Sequence, residues 1–152
     1  MSQGFLKSIR EAPSAARTII NVTSIAAQGY PPGMSSYSPS KIAVCKFTAY
    51  IALENPEITT VSLDPGLVPT EMGHSVPYLA QFLHDTPELS GGTAVWLATG
   101  DKKFLTGRYV AANWNVEELE RRKQEIQDGD LLTFGLKGEF GIPGVVVEGQ
   151  KQ

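Results

Sequence analysis

The stretch Thr18-Ile19-Ile20-Asn21-Val22-Thr23-Ser24 sets the reading of the whole chain. Thr18 to Val22 is β-branched or apolar at nearly every position, the pattern of a strand covered on both faces rather than one with a wet side. Strands covered on both faces belong to parallel sheets flanked by helices. Working outward, a helical pattern runs from about Tyr37 to Leu53, with Pro39 tolerated in the first turn because its missing N–H is not needed there. Asn55-Pro56 ends it. Ile58 to Leu63 reads as the next strand, Gly91 to Ala98 as a second helix with Ser90 as its N-cap, and Gly107 to Ala112 as a third strand. Strand, helix, strand, helix, strand predicts an α/β fold, a partial doubly wound parallel sheet of about three strands joined by crossover helices. Ligands of such sheets sit at the carboxyl ends of the strands, where Ser24 and Pro65-Gly66 fall.

After the third strand the character changes. Val116 to Gln127 is charged, with Glu117 and Glu118 in its first turn, Arg121 and Arg122 four residues on, and a thin apolar stripe of Val116, Leu119 and Ile126. This predicts a surface helix, followed by a turn at Asp128-Gly129-Asp130 and a tail to Gln152 that alternates small apolar residues with glycines. No repeat or low-complexity linker divides the 152 residues, so residues 1–152 read as one domain, with a core over about 17–112 and a C-terminal helical extension over about 113–152. A net charge of −3 and a pI near 5.4 give no electrostatic basis for a nucleic-acid partner. Met1 to Arg10 lacks an uninterrupted apolar segment, and no later run approaches the ~18 apolar residues of a membrane span, so no membrane partner and a cytoplasmic location are expected. The single cysteine, Cys45, has no internal disulfide partner.

Tyr37 and Lys41 lie four residues apart at the start of the first long helix, a spacing that projects both from one face. A cation beside a phenol favours the phenolate, so Tyr37 can exchange a proton while Lys41 tunes it. A hydroxyl aimed at the same point, that of Ser24, can stabilise charge building on a carbonyl oxygen. Together these side chains suit alcohol–ketone redox chemistry. A Tyr-x-x-x-Lys pair by itself reads equally well as a helix whose tyrosine packs and whose lysine is solvated; Ser24 at one strand end and Pro65-Gly66 at the next give it weight.

Ile19 to Ser24, Tyr37-Ser38-Pro39-Ser40-Lys41 and Asp64-Pro65-Gly66-Leu67-Val68-Pro69-Thr70 resemble, in order and spacing, the C-terminal half of the short-chain dehydrogenase/reductase family. The resemblance implies a Rossmann-like fold and a nicotinamide cofactor, NADP or NAD with NADP slightly preferred. It also implies catalytic roles for Ser24, Tyr37 and Lys41. Tyr37, Lys41, Pro65, Gly66, Val68 and Thr70 would contact the cofactor, the Val68 backbone and Thr70 side chain meeting the carboxamide. The substrate would be a small-molecule alcohol or ketone, and a C-terminal extension of this kind resembles fungal members, which suggests secondary metabolism. The family's glycine-rich Thr-Gly-x-x-x-Gly-x-Gly turn and its Asn-Asn-Ala-Gly segment have no counterpart in these residues, and neither has its fourth catalytic residue, an Asn. A truncated domain is therefore expected, with Thr18–Val22 as an exposed apolar edge. The competing reading is a non-catalytic remnant or interaction module that has lost its cofactor.

Other candidates carry blander readings. His74 and His84, ten residues apart, do not make a metal-ligand set with one cysteine, and no metal is expected. Glu71 to Thr86, with Met72, Val76, Tyr78, Leu79 and Phe82, falls where the family places its variable substrate loop, and its apolar character suits either a hydrophobic substrate or simple cover for the domain. Cys45 is grouped with Ile42, Val44, Phe47 and Ile51 as a buried apolar face. Apolar residues on more than one side of the 37–53 helix predict two buried surfaces. The resemblance makes the second a homo-oligomer interface. Asn21 is expected to support the sheet or a neighbouring loop, and Gly91-Gly92 to lie in a helix entry.

Overall fold

The computed structural model describes residues 2–11 and 17–135 of the chain. Three strands, β1 (Thr18–Val22), β2 (Thr59–Asp64) and β3 (Arg108–Ala111), form one parallel sheet in the order β1-β2-β3. The register places Val22 opposite Leu63 and Leu63 opposite Val110. Helix α1 (Ser2–Glu11) precedes β1, α2 (Tyr37–Glu54) joins β1 to β2, and a short α3 (Glu71–His74) and α4 (Pro87–Ala98) join β2 to β3. Two short helices follow, α5 (Val116–Arg121) and α6 (Lys123–Asp128).

The central strand explains the layering. β2 is buried at every position although four of its six residues are polar. Val61 and Leu63 pack into an apolar core with Leu97 of α4, Leu105, Val110, Leu119 of α5 and Ile126 of α6. The alternate residues Thr60, Ser62 and Asp64 point to the α2 side. There Thr60 Oγ1 donates to the Thr48 carbonyl at 3.1 Å and Asn21 Nδ2 to Thr48 Oγ1 at 2.9 Å, while the buried Ser62 hydroxyl has no hydrogen-bond partner among the described residues. Buried polar groups are tolerated when partnered in this way. Asn21 thus ties the sheet to α2, as its place in the strand suggested.

Several local expectations shift. β1 is half-buried rather than covered on both faces, and Val22 is exposed, because among the described residues β1 pairs only with β2. The second crossover helix begins at Pro87, four residues before Gly91, because Thr86 rather than Ser90 is its N-cap: Thr86 Oγ1 accepts the Leu89 N–H at 3.3 Å. Gly107 precedes β3 with φ +76, and its N–H still joins the ladder by donating to the Thr60 carbonyl at 2.7 Å. Cys45 is buried with Thr48 and Ile51, but Ile42 and Phe47 lie on the opposite, exposed arc of α2 with Tyr50 and Leu53. The surface helix is two helices broken at Arg122, whose guanidinium spans the break to Glu118 at 3.2 Å and Glu125 at 2.7 Å. Its stripe is better buried than a surface helix requires, Leu119 and Ile126 joining the core, and Lys102 Nζ reaches Glu120 at 3.0 Å. The expected tail beyond residue 135 lies outside the described residues. No helix among the described residues is long and apolar enough to cross a membrane.

Candidate active site

Ser24, two residues beyond the end of β1, caps the short helical turn Ile25–Ala27 in an extended conformation. Its Oγ accepts the Ala26 N–H at 3.2 Å, which leaves the hydroxyl proton to be donated elsewhere. Tyr37 is the first residue of α2, with Pro39 in the same first turn, where a proline costs the helix nothing. One turn on, the Lys41 ammonium lies 5.5 Å from the Tyr37 ring centroid and donates to the Val22 carbonyl at 3.3 Å. The strand end and the helix start are fastened by Thr23, whose buried hydroxyl donates to the Lys41 carbonyl at 3.0 Å and sits 3.1 Å from Cys45 Sγ. Thr23 is easily passed over in the sequence, because a threonine beside the serine looks like a rival catalytic group rather than a clamp.

Ser24 and Tyr37 line one wall of an open cavity of about 810 Å³, and Pro65, Gly66, Val68 and Thr70 line another. Lys41 is not among the lining residues; it stands behind Tyr37. The third wall is the segment after β2, where Met72, Val76, Tyr78 and Leu79 face the cavity, while Phe82, His74 and His84 are exposed outside its lining. A second apolar contribution comes from Tyr30 and Met34 in the loop before α2, and the Tyr78 hydroxyl crosses to that loop by donating to the Pro32 carbonyl at 3.1 Å. Among the described residues, none of the lining side chains is charged.

The turn after β2 is held from below and from the side. Asp64, 4% exposed, accepts the Gly66 N–H on Oδ1 at 3.2 Å and the Tyr109 hydroxyl on Oδ2 at 2.7 Å. Gly66 has φ +83, a left-handed conformation that glycine adopts freely. Ser90, inside α4, donates its hydroxyl to the Pro65 carbonyl. Thr70 caps α3: its Oγ1 accepts the Gly73 N–H at 3.2 Å and keeps its own proton to donate.

Burial, and then the hydrogen bond to Asp64, hold the Tyr109 phenol well above the usual range. The neutral phenol is the form the fold favours. Its contribution to stability is therefore complete below about pH 10, where an unfolded tyrosine ionises, and is lost as the pH rises beyond it. Denaturation midpoints should fall steeply above about pH 10 in the wild type and less steeply in Tyr109→Phe, which at neutral pH should cost about 1–3 kcal/mol through the lost bond to a buried carboxylate. Parallel alkaline declines in the two proteins would show that Tyr109 does not carry this dependence.

Comparison with known proteins agrees with the geometry. The family model for short chain dehydrogenases matches residues 1–78. The chain is 39% identical over 123 residues to the short chain dehydrogenase mpl6 of Monascus purpureus, covering 79% of this chain and 42% of that protein. It is 36% identical over 124 residues to the short chain dehydrogenase andI of Emericella variicolor, covering 80% and 43%. The chain thus spans about two fifths of the length of the curated relatives it matches. Among solved structures, acetoin dehydrogenase from Enterobacter cloacae superposes with a TM-score of 0.60 at 24% identity, covering 72% of this chain and 46% of that one. The KRED1-Pglu enzyme does so with a TM-score of 0.54 at 26% identity, covering 71% and 54%. A 7 alpha-hydroxysteroid dehydrogenase complexed with NADH and 7-oxo glycochenodeoxycholic acid gives 0.55 at 24% identity, covering 62% and 42%. With a parallel α/β sheet, a serine at one strand end, a tyrosine and lysine one helical turn apart, and a family match over half its length, this chain belongs to the short-chain dehydrogenase family.

Proposed function

We propose that the chain carries the substrate and nicotinamide half of an NAD(P)-dependent oxidoreductase that interconverts an alcohol and a carbonyl on a small, hydrophobic substrate. The observation that carries this reading is the convergence of Ser24, Tyr37 and the 65–70 turn on one cavity whose other walls are apolar. The turn fits a nicotinamide carboxamide. Thr70 has a hydroxyl proton to give, and the Val68 N–H has no acceptor among the described residues. The uncharged walls suit a flat, neutral ring.

A nicotinamide cofactor held at the 65–70 turn would supply the hydride for the carbonyl carbon. Ser24 donates its free hydroxyl proton to the carbonyl oxygen and holds it in place as negative charge gathers there. Tyr37 delivers a proton to that oxygen, completing the alcohol, and the resulting phenolate is stabilised by the Lys41 ammonium behind it until solvent returns the proton. In the oxidative direction the same groups act in reverse. The apolar walls favour substrates without charge.

Similarity to fungal enzymes supports a place in fungal secondary metabolism, and a single buried free cysteine is compatible with a cytoplasmic setting. NADP and NAD both remain within the proposal, NADP slightly preferred. Self-association through the exposed arc of α2, where Phe47 is 50% and Leu53 77% exposed, is part of it as well; light scattering should give a mass above one chain, and a strictly monomeric solution would remove that part.

The experiment is a titration of the 152-residue chain with NADPH, NADH and reduced nicotinamide mononucleotide, followed by nicotinamide fluorescence. The mononucleotide needs only the half of a dinucleotide site described above. Saturable binding that a hydrophobic ketone strengthens is expected. A folded chain that binds none of the three would defeat the proposal.

A further inference from the structure

From the geometry at the neck of the substrate segment, we infer that Asp85 is a positioning residue that locks this segment to the nicotinamide-facing turn. The inference rests on the function proposed above. The segment leaves the turn at Thr70, which caps α3, and returns at Asp85, immediately before the cap of α4. At that return point, Asp85 and Leu67 exchange two hydrogen bonds: the Leu67 N–H donates to Asp85 Oδ2 at 2.7 Å, and the Asp85 N–H donates to the Leu67 carbonyl at 3.2 Å. A charged acceptor makes the first of these the stronger kind of bond. The carboxylate also fills the space beside Gly66 that any Cβ would need.

Asp85 is not among the residues lining the cavity, so its influence passes through its neighbours rather than by contact. On one side it fixes Leu67, between Gly66 and Val68. On the other it closes the base of a compact loop whose Met72, Val76, Tyr78 and Leu79 form the apolar wall, and whose tip is tied across the cavity through Tyr78 to Pro32. With both base and tip tied, the wall that selects substrate and the turn that meets the nicotinamide keep one fixed relation. Without the Asp85 carboxylate the base is held by a single backbone bond. Nicotinamide binding and substrate fit should then loosen together.

The test compares Asp85→Ala and Asp85→Asn with the wild type in the full 152-residue chain. Asparagine keeps an oxygen able to accept the Leu67 N–H, and alanine does not. Affinity for reduced nicotinamide mononucleotide should fall about tenfold in Asp85→Ala and recover most of that loss in Asp85→Asn, in proteins that still unfold cooperatively. A hydrophobic ketone should lose its ability to strengthen nucleotide binding in the alanine variant alone. Equal affinities across the three proteins would overturn the inference. If the folded wild type binds no nucleotide, the functional proposal fails separately, and the role of Asp85 is read from amide NMR of the unliganded chain. Shifts and faster exchange in Asp85→Ala, spreading from Leu67 to Val68, Thr70 and the 71–84 segment and reversed by asparagine, would uphold the coupling. Changes confined to residue 85 and its chain neighbours would reject it.

Discussion

Tyr37→Phe should reduce turnover of a hydrophobic ketone by about 10²–10⁴-fold, the range a positioned general acid contributes, while leaving fold and cofactor affinity nearly intact. The ring stays and only the hydroxyl goes. Among the described residues nothing hydrogen-bonds the Tyr37 hydroxyl, so its removal leaves no protein group unpartnered, and the Lys41 contact to the ring face at 5.5 Å is preserved. The loss should therefore appear in kcat with little change in KM, the signature of an interaction made only in the transition state. Equal loss of folding stability would instead make Tyr37 a packing residue, the bland reading of a Tyr-x-x-x-Lys helix. Steady-state kinetics beside thermal unfolding separate the two.

Gly66→Ala should be the most damaging single methyl group in the site. Two independent causes act on it. At φ +83 a side chain costs about 1–2 kcal/mol of backbone strain, and the new Cβ would run into the Asp85 carboxylate. Asp85 cannot swing away without giving up the Leu67 N–H, a bond to a charged acceptor worth about 1.5–3 kcal/mol. The combined cost should be about 2.5–5 kcal/mol, a fall of roughly 5–20 °C in the thermal midpoint for a chain of this size. Nicotinamide binding should weaken further because the turn itself moves. Gly91→Ala is the control: that glycine lies inside α4 with nothing within 4 Å of a built Cβ, so alanine should be neutral or slightly stabilising. Similar midpoints for the two alanine variants would refute the account of the turn.

Much of the fold was legible because it rests on period and punctuation. The apolar run at Thr18–Val22, the stop at Asn55-Pro56 and the breaker Pro65-Gly66 are local signals, and local signals place strands and helices. What misled were choices between neighbours of equal propensity. Thr86 and Ser90 are both good caps; the helix starts at Pro87, whose fixed φ suits the first helical position, and this leaves Ser90 inside α4 with its hydroxyl on the Pro65 carbonyl. The two faces of α2 look alike in sequence; which of its apolar residues meet the sheet depends on rotation about the helix axis, so Cys45 and Ile51 go in while Ile42 and Phe47 stay out. The chemical groups of the site could be named from type and spacing. Their supports could not. Thr23, Tyr109 and Asp85 act through partners 18 or more residues away, at Lys41, Asp64 and Leu67, and no periodicity announces contacts of that kind.

Hydride transfer shows directly whether Tyr37, Ser24 and the 65–70 turn form a working carbonyl site: incubate the 152-residue chain with 4,4-dideuterated NADPH or NADH and a neutral hydrophobic ketone, and follow the label by mass spectrometry. One deuterium is expected on the carbinol carbon of the product alcohol, formed by the wild type and lost in Tyr37→Phe. A folded wild-type chain that yields no deuterated alcohol, or a Tyr37→Phe variant that forms it as fast, would contradict such a site.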